Sequence, residues 1–279
     1  MPLLPIPEPF DFALSTERFR RFGPDLANLW HEGGLHRVVG GREVRIESAP
    51  GGVLVEPLDD EIAAVVGKLL GLELDLAAFE RFARSFDEDL AALFDRLEGL
   101  RPPISPDPFE TLVTSITAQQ VSLASAFAIR SRMIERLGER ATHAYAFPTC
   151  ERLAATDPSE LTAVGFSGRK AEYVVGLARQ NLDYDALALL PDDEVKARLV
   201  AVRGLGEWTA DWFLARHLAR PHAWPAGDLG LRKAVAAFYG DGPLPSIEEV
   251  RVIGACFAPF QNLTAHYLLA DLYLSGPAT

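Results

Sequence analysis

Four prolines crowd into the eight residues Arg101-Pro102-Pro103-Ile104-Ser105-Pro106-Asp107-Pro108, and neither a helix nor a central strand can run through them. The two sides of this break carry different patterns. Before it, Arg42-Glu43-Val44-Arg45-Ile46-Glu47 alternates with period two, Ala49-Pro50-Gly51-Gly52 supplies a turn, and Val53-Leu54-Val55 continues as a partner strand. Leu35 to Val39 and Pro9 to Leu14 read as further strands. From Asp59 or Asp60, an N-cap candidate, Ile62, Val65, Val66 and Leu69 fall on one helical face. After the break, Phe109 to Leu137 reads as one long helical stretch, followed by short helices joined by Gly, Pro and Asp turns. The expected fold is mostly α with a small antiparallel β-sheet: an N-terminal α+β domain over residues 1–100 and a helical region over 101–279.

Composition narrows the function. The two cysteines, Cys150 and Cys256, cannot supply the four thiolates of an iron–sulfur cluster or a zinc finger, and the six histidines show no ligand spacing. No metal site is expected. No run of about 18 apolar residues is present, and Met1 to Pro7 lacks the basic and apolar regions of a secretory leader. A cytoplasmic protein without membrane contact is expected. The net charge of −12 opposes nucleic-acid binding at first sight. It is unevenly spread, however: residues 1–100 carry 19 acidic and 10 basic side chains, the remainder 20 and 17. The nearly balanced part can hold phosphate through backbone N–H groups and a few arginines.

Two local patterns carry chemistry. Asp193 to Ala201 reads as a short helix, Val202-Arg203-Gly204-Leu205-Gly206 as a tight turn, and Glu207 onward as a second helix. Glycines can turn successive N–H groups to one side, and the following helix adds its positive end, so such a hairpin can cradle a phosphate. A C-cap and turn account for the same letters. Further on, Asp228 follows Pro225-Ala226-Gly227 and opens an apolar-periodic helix; by itself this is an N-cap.

Four stretches, in order, resemble the helix-hairpin-helix base-excision DNA glycosylase superfamily, most closely its bacterial 3-methyladenine-DNA glycosylase II (AlkA) type. They are Phe109-Glu110 with Ile116-Thr117-Ala118-Gln119-Gln120-Val121-Ser122; Phe147-Pro148-Thr149 with Leu153 to Pro158 and Leu161 to Gly165; Gly204-Leu205-Gly206-Glu207-Trp208-Thr209-Ala210; and Pro225-Ala226-Gly227-Asp228-Leu229. The similarity covers residues 109–274, with a looser fit over the N-terminal part.

The resemblance implies a glycosylase that flips a damaged base out of double-stranded DNA and hydrolyses its N-glycosidic bond, acting as a monomer without a cofactor. It leaves open a monovalent cation at the hairpin carbonyls. It makes Asp228 the catalytic carboxylate. Relatives that also cleave the strand carry a lysine where Trp208 stands, so hydrolysis alone is expected. Trp208, Trp212 and Phe260 are implied as the base pocket, with Phe19 or Phe12 closing it from the N-terminal part. Phe260 and Gln261 replace a Trp and an Arg common in the family. Gln119, Gln120, Gly204, Leu205, Gly206 and Thr209 are implied at the DNA, with Gln120 in the place of the wedge that fills the gap left by the flipped base. Arg130, Arg132 and Arg136 are further candidates for the phosphate track, and Lys170 and Lys233 match no lysine motif. N-alkylated purines are the expected substrates, since their positive charge lets them leave without a general acid and favours an electron-rich aromatic pocket. A glycosylase for oxidised or deaminated bases and a non-catalytic DNA-binding module are the alternatives.

Overall fold

The computed structural model describes residues 1–180, 182–240 and 242–275. The alternating segment before the proline break folds into a five-stranded antiparallel sheet in the order β1-β5-β4-β3-β2, with β1 Leu3–Pro5, β2 Leu29–His31, β3 Gly34–Val39, β4 Arg42–Ala49 and β5 Gly52–Glu56. Ile46 stands opposite Leu35 on one side and Val55 on the other, and all three are fully buried. The period-two pattern thus turns one face toward the Asp60–Leu69 helix, whose Ile62, Val66 and Leu69 share that core. The Asp59 side chain accepts the Ile62 N–H at 2.9 Å and starts the helix.

Three elements differ from the sequence expectation. Pro9–Leu14 is not a strand: the Asp11 carboxylate accepts the Leu14 N–H at 2.8 Å and caps a short helix over Phe12–Ser15. The Phe109–Leu137 stretch is two helices, Pro108–Ala118 and Leu123–Leu137. Gln120 adopts a φ of 56° between them, and the Ser122 hydroxyl caps the second by accepting the Ser125 N–H. Thirdly, the packing does not divide at residue 100. The helices Leu76–Phe86 and Glu88–Arg96 belong to the larger core, which Phe79, Leu90 and Leu93 share with Phe257 and Tyr267, whereas the sheet core ends near Leu70. Among the described residues no helix is long and apolar enough to cross a membrane.

A buried ionic network joins the two cores. Arg37 on β3 donates to Glu110 and to Asn28, each at 2.7 Å, and Arg130 bridges Glu110 and Asp25. Arg130 therefore lies in the interior and does not face a DNA backbone. Burial opposes ionisation of Glu110, but Arg37 and Arg130 outweigh it and hold the carboxyl below its ordinary range. Burial likewise works against Asp25, and Arg130 with hydrogen bonds from Asn28 and Ala27 brings it down.

The helices Asp192–Val200 and Glu207–Arg216 flank the glycine turn. Only its first glycine requires glycine. Gly204 has a φ of 97°, and a Cβ there would lie 2.3 Å from the Tyr173 ring. Gly206 is extended at a φ of −116°, with nothing within 4 Å of an added Cβ.

Two outcomes follow. Glu110→Ala leaves the buried Arg37 without a carboxylate and Arg130 with Asp25 alone, and lowers the unfolding free energy by about 3–5 kcal/mol in urea denaturation. Because Asp25 and Glu110 have lowered pKa values in the fold, their stabilisation is present above the unfolded carboxylate range of about 4 and is lost as pH falls through the folded values; the wild type should lose stability more steeply than Glu110→Ala below that pH. Gly204→Ala is destabilised by about 1–3 kcal/mol, while Gly206→Ala stays within about 1 kcal/mol of the parent in the same assay.

Candidate active site

Asp228 stands where the Pro225-Ala226-Gly227 turn meets the Leu229–Tyr239 helix. Its Oδ1 accepts the Leu231 N–H at 2.9 Å, so it is an N-cap. Its Oδ2 accepts two indole N–H groups, Trp208 Nε1 at 2.7 Å and Trp212 Nε1 at 3.0 Å. The two tryptophans are four residues apart on the Glu207–Arg216 helix, so one face presents both donors to one oxygen. Capping and a functional placement therefore coexist in the same side chain.

This carboxylate lines a cleft of about 240 Å³ between the sheet-bearing part and the helices, together with Trp208, Trp212, Phe19, Phe127 and Tyr273. Phe19, from the N-terminal part, is among the expected wall residues that the structure brings there. Phe260 is not: its ring packs against Phe82 at 5.2 Å and Phe79 at 5.9 Å, in a separate aromatic cluster. The cis Ala258–Pro259 bond precedes it. Phe12 also lies elsewhere, in the sheet core against Trp30.

The expected DNA-facing residues divide in the same way. Gln120 is exposed on the turn between its two helices. Gln119 donates from Nε2 to the Gly204 carbonyl at 2.9 Å and so ties that turn to the hairpin. The Leu205 and Thr209 side chains are buried, leaving only their backbone for an outside ligand. Gly206 caps the Glu207–Arg216 helix and has no side chain to accept its first N–H groups. Arg132 donates to the Val164 carbonyl, and Arg136 is paired at long range with Glu160. Lys170 donates to the Thr117 carbonyl and Lys233 is exposed; no lysine lines the cleft among the described residues. No group of histidine, cysteine, aspartate or glutamate among those residues is arranged to hold a metal.

Sequence patterns gave no sign of Arg18, Arg216 and His266, which also line the cleft. Burial brings the Arg18 guanidinium down to about 9, and lowers Arg216 against the pull of Asp228 and Tyr273. Burial also keeps His266 well below its ordinary range, reinforced by Arg216 and Arg18. Each is an unremarkable residue at an unremarkable helix position; only the fold reveals that they converge.

Comparison with known proteins agrees with this geometry. Residues 113–254, about half of the chain, match the family described as HhH-GPD superfamily base excision DNA repair protein. The chain is similar to a DNA-3-methyladenine glycosylase of Bacillus subtilis (strain 168), 28% identical over 222 residues, covering 77% of this chain and 73% of that protein. It is also similar to DNA-3-methyladenine glycosylase 2 of Escherichia coli (strain K12), 32% identical over 182 residues, covering 63% and 60% respectively. Among solved structures, the 3-methyladenine DNA-glycosylase from Archaeoglobus fulgidus superposes with a TM-score of 0.87 at 28% identity over 98% of both chains. The chain belongs to the HhH-GPD superfamily of base excision DNA repair proteins.

Proposed function

We propose that this protein is a monofunctional DNA glycosylase that removes alkylated purines from double-stranded DNA by hydrolysing the N-glycosidic bond, with Asp228 as its one catalytic carboxylate. The observation that carries the reading is a carboxylate fixed by two indole N–H groups and one backbone N–H on the wall of an aromatic cleft. The names of the relatives support the substrate class.

A target base must leave the stack to reach such a cleft. The helix end behind Gly204-Leu205-Gly206 takes a phosphate through backbone N–H groups, without reading sequence. Gln120, on its exposed turn, enters the gap. The sugar of the flipped nucleotide then faces Asp228. As the bond to the base breaks, positive charge develops at C1′, and a pre-oriented carboxylate stabilises it without reorganising. Three hydrogen bonds hold Asp228 in place and take three of its about four lone-pair sites, which favours electrostatic stabilisation over proton abstraction. Trp208 occupies the position of the lysine in strand-cleaving relatives and forms no imine, so the product is an intact strand with an abasic site.

Alkylated duplex DNA treated with the protein and then hot alkali should be nicked. Asp228→Asn should lose at least about 100-fold in rate, the scale of removing one oriented electrostatic group. Strand scission without alkali would overturn the hydrolytic reading, and undiminished activity in Asp228→Asn would remove the carboxylate from it.

A further inference from the structure

Lys170 matches no lysine motif, yet it is not a solvated charge. It lies half-buried in the first turn of the Gly168–Ala178 helix and forms no ion pair with a carboxylate among the described residues. A cation there is opposed by the dipole of its own helix, so its place is explained by what it reaches. Its Nζ donates to the Thr117 carbonyl at 2.9 Å, in the last turn of the Pro108–Ala118 helix. That end has the reverse needs: its last carbonyls lack intrahelical partners, and the aligned peptide dipoles leave negative charge. Burial lowers the Lys170 pKa, so the ammonium has given up part of its hydration to serve this carbonyl.

The residues that follow give the contact its meaning. Ala118 ends the helix, Gln119 donates its amide to the Gly204 carbonyl at 2.9 Å, and Gln120 stands exposed at a φ of 56°. A non-glycine residue in that region is held there by its surroundings. Lys170 and Gln119 anchor the turn on either side of Ala118. Both anchors lead back to one helix. Tyr173 lies three residues after Lys170, on the same face, and its ring is so close to Gly204 that a Cβ there would lie 2.3 Å from it. The Gly168–Ala178 helix thus touches the end of the Pro108–Ala118 helix through Lys170 and the glycine turn through Tyr173. Gln119 closes the triangle between those two.

We propose that Lys170 is a positioning residue for Gln120. By holding the Thr117 carbonyl, its ammonium fixes where the Gln120 side chain stands relative to the glycine turn, and so how readily a base is displaced from the duplex. Lys170 thereby deepens the reading of Gln120 as the side chain that enters the gap, on which its role rests. It touches neither the damaged base nor the sugar, and it holds no phosphate of its own.

Single-turnover release of 7-methylguanine tests this in the wild type, Lys170→Met, Lys170→Arg, Gln120→Ala and the double variant of Lys170→Met with Gln120→Ala. Each is assayed on a fully paired duplex and on one whose lesion is mispaired and leaves the stack more easily. Lys170→Met keeps an unbranched apolar stem and removes the charge. On the paired duplex it should be at least about fivefold slower than the wild type, within the range that coupled neighbours show. On the mispaired duplex the deficit should shrink, and Lys170→Arg should recover part of the rate. The double variant should be no slower than Gln120→Ala alone. Binding of Lys170→Met to undamaged duplex should keep the salt dependence of the wild type, since loss of a phosphate contact would flatten it. A wild-type rate in Lys170→Met overturns the proposal. So does an equal loss on both duplexes, as a general folding defect would give, a flattened salt dependence, or a double variant slower than Gln120→Ala. In all of these the glycosylase reading stands; no release by the wild type sinks that reading and the proposal together.

Discussion

The site depends on one oxygen, Oδ2 of Asp228, which receives two indole N–H groups from successive turns of a single helix. Because the other oxygen caps the following helix, the carboxylate is fixed by both helices. The Glu207–Arg216 helix therefore has two roles. Its beginning is capped by Gly206 and its Trp-bearing side faces the cleft. On the proposed function, the seat of the strand and the aim of the carboxylate would be set by the same rigid helix, with no intervening loop.

The cleft also needs a wall from the N-terminal part, supplied by Phe19 and Arg18. What holds that part against the helices is the ionic network around Glu110 and Arg130, together with the Asn28 amide. Such a network contributes little net stability compared with apolar packing, but it permits few alternative arrangements, since any slippage leaves a buried charge unmatched. That specificity suits a junction whose two sides must meet around a small cavity.

The sequence made some of this legible and hid the rest for physical reasons. Local rules located β3 to β5, because alternation and a glycine turn act over a few residues, and they located the Asp59 and Asp228 caps. The hairpin and Asp228 gained a functional meaning only through four motifs taken in order. Local rules failed where two local signals compete: Phe10 to Leu14 has strand-like apolar content, yet the Asp11 cap wins. They also missed the break at Gln120, since glutamine at a positive φ leaves no mark in composition. Contacts between distant residues were out of reach altogether. Arg130 meets Asp25 across 105 positions, and Arg18 meets Arg216 only once the fold is complete. Phe260 was misplaced for the same reason: its aromatic partners, Phe79 and Phe82, lie in a segment assigned to the other side of the proline break.

The hydrogen bond from the Gln119 amide to the Gly204 carbonyl has a mechanical meaning. It clips the turn that carries Gln120 to the glycine turn. On the proposed function, the inserted side chain and the phosphate site would then belong to one preformed surface, and the deformation on docking would fall on the DNA, first where a lesion has weakened the stacking.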